Sequence, residues 1–167
     1  DAVTITSGIL AATGMMYIRI LILAWIFNFN VAMKLLPYFT AFVIISAVLI
    51  ALLQMKSKTS DAEPLKVNNT QNPLEFKTAL VFGFLFGFFA VLTNIVVANY
   101  GNMGVNILSF IVGVTDIDPY ILNLFQHTDS NLHINTIVNA TIIASASNNL
   151  IKMIYTLILG ESKIKRN

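Results

Sequence analysis

The chain has 167 residues, of which 56% are hydrophobic and only 11% charged, with a formal net charge of +2. Soluble domains usually carry about 25% charged residues, so these charges are too few to cover a water-facing globule. The mean hydropathy of +0.76 therefore predicts a protein dissolved in lipid. The small net charge argues against a nucleic-acid partner, and the lack of cysteine excludes disulfides and thiolate chemistry.

A helix needs roughly 20 apolar residues to cross the hydrocarbon core of a bilayer, and five segments approach that length. A soluble helical bundle would need polar faces at helical period, which the second and third segments lack. The sequence predicts an all-α, polytopic membrane bundle that forms a single domain over residues 1–167. The five segments are 8–27, 35–55, 78–98, 103–125 and 134–159.

The polar parts of the chain lie between these segments. Residues 56–73 predict a polar loop, and Gly101 with Gly104 predicts a short turn between the third and fourth segments. Because the chain begins with Asp1 and no charged region with a cleavage site follows, we expect it to be a fragment of a longer protein, or a processed chain, whose upstream part is missing.

The fourth segment contains a sequence that is typical of a helix start. Asp118 followed by Pro119 predicts an N-cap acceptor and a proline at the first helical position. The segment is therefore expected to break near Gly113 and to restart at Pro119. Such a break exposes main-chain groups and two carboxylates within an apolar stretch.

The distribution of Lys and Arg gives a preference for the path of this segment. If the segment spans the membrane, the basic residues divide evenly between the two sides. If it enters and returns to the same side, nearly all of them lie on one side, which would be the cytoplasmic one. The charges therefore favour a broken or re-entrant fourth segment.

The first and fifth segments resemble each other. Residues 9–19 align without gaps to residues 142–152, and Arg19 falls opposite Lys152. With a re-entrant fourth segment the two would run in opposite directions. The alignment thus predicts an inverted repeat, which many secondary transporters build around a site at the membrane midplane.

Asp116 and Asp118 are the leading candidates for an ion-binding site. A carboxylate at membrane depth costs several kcal/mol unless it is paired, hydrated or bound to an ion. One interpretation is a site for a cation or a proton. The alternative is that Asp118 caps a helix and Asp116 faces water.

Arg19 and Lys152 lie too deep in their segments to reach the membrane surface easily. Each needs a partner, and Asp116 and Asp118 are the acidic residues placed within an apolar segment. The pairs would either lock helices together or exchange during transport. Both possibilities stay open from the sequence.

A polar run precedes Lys152. Asn148 and Lys152 share one helical face, as do Ser145 and Asn149. Small hydroxyl and amide side chains commonly hold membrane helices together, and that is the default interpretation. The alternative is that the stripe faces the bundle interior and lines a pathway.

Four motifs resemble one family. They are residues 12–19 (Ala-Thr-Gly-Met-Met-Tyr-Ile-Arg), 72–76 (Asn-Pro-Leu-Glu-Phe), 113–118 (Gly-Val-Thr-Asp-Ile-Asp) and 146–152 (Ala-Ser-Asn-Asn-Leu-Ile-Lys). This order resembles the membrane domain called domain of unknown function 4010, which follows an MgtC/SapB-like domain in bacterial proteins. The resemblance implies a multi-pass protein of the bacterial inner membrane and, by association, a role in magnesium or other ion homeostasis.

Two functions remain open from the sequence. The first is a transporter or channel module for a cation or a proton, embedded in the lipid bilayer. The second is a regulatory or structural subunit that binds another membrane protein or a second copy of itself, with its buried charges as ion pairs. No cofactor is expected, the identity of any metal stays open, and no catalytic constellation points to an enzyme.

Overall fold

The computed structural model describes residues 2–56, 74–126 and 132–164, and their regular structure is entirely helical. The predicted all-α architecture is confirmed. Apart from Lys56, the predicted polar loop at 56–73 lies outside the described residues. The helices are α1 (Ala2–Phe27), α2 (Phe29–Lys56), α3 (Leu74–Val112), α4 (Asp118–Gln126) and α5 (Ile134–Ile164).

Three stretches within α1, α2 and α3 are long and apolar enough to cross a membrane: residues 6–27, 29–55 and 76–112. These helices expose large apolar side chains, among them Trp25, Ile44 and Phe84. Apolar patches of this extent are rare on soluble monomers and mark contact with lipid or with another protein. Composition and structure agree that this is a membrane protein.

A single residue joins α1 to α2. The main-chain nitrogen of Asn28 donates to the carbonyl of Ala24 (2.7 Å), so Asn28 still closes the last turn of α1. Its side-chain oxygen accepts from the nitrogen of Val31 (3.2 Å), which makes Asn28 the N-cap of α2. Tyr17 stacks on Phe42 with ring centroids 5.3 Å apart, and a Cβ on Gly14 would lie 3.9 Å from Ser46 Cβ, so the two helices pack as an antiparallel pair.

Gly101 interrupts α3. Its φ of 57° and ψ of −147° are non-helical, and a positive φ is the conformation that glycine adopts without strain. A Cβ on Gly104 would lie 2.8 Å from the Cγ1 of Val96, although eight residues of straight helix span about 12 Å. The chain thus folds back at Gly101, where a turn is predicted, and helix resumes at once so that Gly104 is helical.

The short helix α4 lies at the centre of the described structure. Six of its nine residues are buried, including Tyr120. The hydroxyl of Tyr120 is 2.8 Å from Ser109 Oγ and 3.3 Å from the carbonyl of Val105, and its ring packs against Phe89. The second part of α3 (102–112) and α4 therefore lie side by side.

The end of α4 and the start of α5 meet the junction between α1 and α2. Asn28 Nδ2 is 3.5 Å from the carbonyl of Phe125, and Lys34 Nζ donates to Asn135 Oδ1 (2.5 Å). Further along α5, Asn149 reaches Tyr17 in the middle of α1. The start of α5 thus lies near the end of α1, and a later part of α5 lies near the middle of α1. The two helices are therefore antiparallel.

Gly104 tests the reversal at Gly101. In the Gly104→Ala variant the new Cβ would meet Tyr100 Cβ at 2.5 Å as well as Val96, and overpacking of this kind costs about 1–3 kcal/mol. We expect a lower melting temperature for the purified protein in detergent. The control is Gly87→Ala, where a Cβ meets nothing within 4 Å and alanine improves helix propensity. Equal melting temperatures would contradict the reversal.

Candidate functional site at the helix break

Residues 113–117, here called the break, separate α3 from α4. The end of α3 tightens as the nitrogens of Val114 and Thr115 donate to the carbonyls three residues earlier (3.2 and 2.8 Å). Residues 116 and 117 are non-helical, and the helix restarts at Asp118, next to the restart that the sequence predicts at Pro119. The first helical bond of α4 runs from the nitrogen of Ile121 to the carbonyl of Ile117 (2.9 Å).

The predicted N-cap role of Asp118 is wrong by one position. Asp118 is the first residue of α4, and the carbonyl that opens the helix belongs to Ile117. The nitrogen of Asp118 donates to Asp116 Oδ1 (3.2 Å), so Asp116 supplies the local turn. The Asp118 side chain is thereby released from capping and points to another helix.

That helix is α1. Asp118 Oδ2 forms an ion pair with the guanidinium of Arg19, and the side chain of Asp118 is 14% exposed while that of Arg19 is 57% exposed. Solvent at the half-exposed guanidinium weakens this attraction, while the largely buried carboxylate keeps it stronger than in a surface ion pair. The predicted pairing of a deep cation with a deep carboxylate is thus present for Arg19 and Asp118.

The other predicted carboxylate differs in its surroundings. Asp116 is exposed, and its Oδ1 accepts a hydrogen bond from the nitrogen of Asp118. It nevertheless lies close enough to Asp118 for the two charges to interact, as does Lys152. Asp116 therefore borders the site, whereas Asp118 lies inside it.

Helix α5 supplies hydrogen-bond donors to the break. Asn148 Nδ2 donates to the carbonyls of Gly113 and Thr115 (both 3.2 Å), and Ser147 Oγ donates to the carbonyl of Phe110 (2.7 Å). A Cβ on Gly113 would lie 2.3 Å from Ser147 Cβ, so only glycine allows α5 this close. The predicted inward-facing polar stripe is present at Asn148.

The remaining predicted residues of α5 divide between two roles. Asn149 Nδ2 donates to the hydroxyl of Tyr17 (2.6 Å), which joins α5 to α1. Ser145 is buried, but its hydroxyl donates to the carbonyl of Thr141 in its own helix (2.8 Å) and does not reach the break. For Ser145 the structure favours a packing role.

Lys152 is exposed and pairs with no carboxylate among the described residues. Its Nζ lies 3.8 Å from Met16 Sδ, and it borders an open groove of about 560 Å³ along α1. Arg19 lines the same groove, so two cations face one cavity. A direct pair of Lys152 with Asp116 is not formed.

Three residues of the site were not singled out from the sequence as site residues: Ser147, Gly113 and Tyr17. Ser147 belongs to the polar run, but its reach across to α3 depends on packing. No group of three or more His, Cys, Asp or Glu within the described ranges is arranged to hold a metal ion. A cation bound here would be held by carboxylate and amide oxygens.

The Arg19–Asp118 pair can be tested with a double-mutant cycle. Arg19→Gln leaves a largely buried carboxylate without its partner, so we expect destabilisation by about 2 kcal/mol, below the usual range for fully buried pairs because Arg19 is half exposed. Arg19→Gln combined with Asp118→Asn should be more stable than Arg19→Gln alone. Melting temperatures of the four proteins give the coupling, and strictly additive effects would contradict the pair.

Comparisons with known proteins place the chain in a family. The model of the family described as a domain of unknown function (DUF4010) matches residues 2–160. An uncharacterised protein of Aquifex aeolicus (strain VF5) is 28% identical over 138 residues, which cover 82% of this chain and 58% of that protein. The chain thus spans little more than half the length of this relative. No solved structure matches the chain. Because the family model covers nearly the whole chain, the protein belongs to the DUF4010 family.

Proposed function

We propose that this domain is a transport module of the bacterial inner membrane that moves a cation or a proton past the break. The observation that carries the proposal is the Arg19–Asp118 pair, which joins α1 to the start of α4 next to the break in an apolar bundle. Ionisable groups at membrane depth are costly and most often mark ion pathways. Unwound main chain at that depth is tolerated where it is buried in protein or lines a cavity.

The proposal includes a re-entrant path for residues 102–126. The carbonyl of Val105 lies 3.3 Å from the hydroxyl of Tyr120, although fifteen residues of straight helix would span roughly 22 Å. The end of α4 lies beside Asn28, at the end of the bundle where α1 turns into α2. Both contacts support a hairpin that enters and leaves at one membrane face.

An inverted repeat would fit the same arrangement. The aligned stretches 9–19 and 142–152 run in opposite directions. Arg19 contacts Asp118, which directly follows the break, and Asn148 contacts the break itself. Inverted repeats with discontinuous helices are a common transporter design. The repeat supports a role in transport. We do not propose an enzymatic role.

The alternative is a regulatory or structural subunit that binds another membrane protein. The exposed Lys152 in its groove favours this possibility, because a cation in lipid needs an acidic partner. The association with an MgtC/SapB-like domain rests on the resemblance of the sequence motifs and stays a prediction. A charge-reversed partner that restores Lys152→Asp would identify this second function.

Ion flux in proteoliposomes tests the transport function. Asp118→Asn removes the charge inside the site, so we expect it to abolish uptake of Na⁺, K⁺ or H⁺, whichever the wild type carries. Asp116→Asn removes an exposed charge at the border and should lower the rate while preserving transport. Asn99→Ala is the control, because Asn99 is exposed and its amide donates to its own helix (2.8 Å). Wild-type flux in Asp118→Asn would refute the site.

Cysteine labelling tests the re-entrant path, since the chain has no cysteine of its own. Single cysteines at Asn102 and Gln126, both exposed, should react with a membrane-impermeant maleimide from the same side of oriented vesicles. Asn30→Cys, next to the α1–α2 junction, should label from that side and Met55→Cys from the other. Labelling of Asn102→Cys and Gln126→Cys from opposite sides would show that the segment spans.

A further inference from the structure

We propose that the break binds one monovalent metal cation such as Na⁺ through Asp118 Oδ1 and Asn148 Oδ1, and that the Arg19 guanidinium replaces the cation when the site is free. The inference rests on the proposed transport function for its location. The inference is tested by measuring cation binding, so that the binding site and the transport function can fail separately.

Two buried oxygens without a donor belong to side chains that adjoin the break. Asp118 directly follows the break and Asn148 donates to it, and Asp118 Oδ1 and Asn148 Oδ1 are buried and have no hydrogen-bond partner. An unpaired buried acceptor costs about 1–3 kcal/mol, so these two oxygens call for a ligand. Because both atoms are acceptors, that ligand has to be a cation or a donor.

Asn148 is fixed in the orientation that a cation needs. The carbonyls of Gly113 and Thr115 can only accept, so the Nδ2 of Asn148 has to face them. Its Oδ1 therefore faces away from both, and the residue is only 9% exposed. The ligand oxygen is held in place before an ion arrives, which lowers the entropy lost on binding.

The charges around Asp118 favour a single positive charge. Arg19 balances Asp118, while Asp116 and Lys152 are a further acid and base within electrostatic range. A monovalent ion that replaces Arg19 at the carboxylate leaves this balance unchanged. A divalent ion would add an uncompensated charge to the interior, and Mg²⁺ usually requires more carboxylates or retained water.

Arg19 can move away from the Asp118 carboxylate while its guanidinium stays hydrated. More than half of its side chain is exposed, and it lines the open groove of about 560 Å³ beside Lys152. The guanidinium can therefore move from the carboxylate into the groove. Binding of the metal ion and release of Arg19 would then be one exchange step, in which Asp118 always keeps one cation.

Melting temperatures in NaCl and in choline chloride at equal ionic strength test this exchange on the full chain. Na⁺ should stabilise the wild type and should have no effect on Asp118→Asn. Arg19→Gln should melt lower than the wild type in choline and should recover in Na⁺. Its half-saturating Na⁺ concentration should fall about tenfold, equivalent to ~1.4 kcal/mol, because the competing guanidinium is gone.

Two further variants separate this site from a general salt effect. Asn148→Asp keeps an oxygen for the ion and adds a charge, but it loses the amide donor to Gly113 and Thr115. It should therefore melt lower than the wild type in choline, and Na⁺ should raise its melting temperature by more than that of the wild type. Lys34→Gln removes an exposed cation at the end of the bundle and should respond to Na⁺ as the wild type does.

Several results would overturn the proposal. Equal melting of Arg19→Gln in both salts excludes a cation at Asp118, and stabilisation by Mg²⁺ at lower concentration than Na⁺ excludes a monovalent site. Na⁺ binding without flux of any cation would keep this inference and refute transport. Proton flux without any effect of Na⁺ would do the reverse.

Discussion

Main-chain carbonyls released where a helix ends inside an apolar bundle cost several kcal/mol each unless donors reach them. The break between α3 and α4 creates this requirement. Local turns satisfy part of it, and the side chains of Ser147 and Asn148 reach across from α5 for the rest. The close approach of α5, which needs glycine at position 113, follows from that demand.

The hydrogen bonds to the carbonyls of the break use side-chain donors of α5, and they leave a side-chain oxygen there without a partner. Each asparagine amide brings one donor group and one acceptor, so once Asn148 has bonded the break its own oxygen remains. The same region also contains the largely buried carboxylate of Asp118. The site is therefore rich in acceptors, and Arg19 is the cation that the protein itself provides. This surplus is the chemical basis of both proposals.

Much of the site could be identified from the sequence, but its pairings could not. Asp118, Arg19 and Asn148 stand out because polar groups are rare in apolar segments. Depth along a helix does not say which face a residue occupies or which neighbour it meets. Lys152 and Arg19 are equivalent in the sequence alignment, yet only Arg19 reaches Asp118, while Lys152 faces the groove.

Composition and local sequence by themselves determined that this is a bundle of apolar helices and that it breaks between Gly113 and Pro119. Those features depend on residues close together in the chain, where hydropathy, proline and glycine act directly. Tertiary structure alone decided that Ile117 rather than Asp118 opens α4, and that Asp118 is paired while Asp116 is exposed. These depend on packing between helices far apart in sequence, because a buried charge or carbonyl takes whichever partner the neighbouring helix presents.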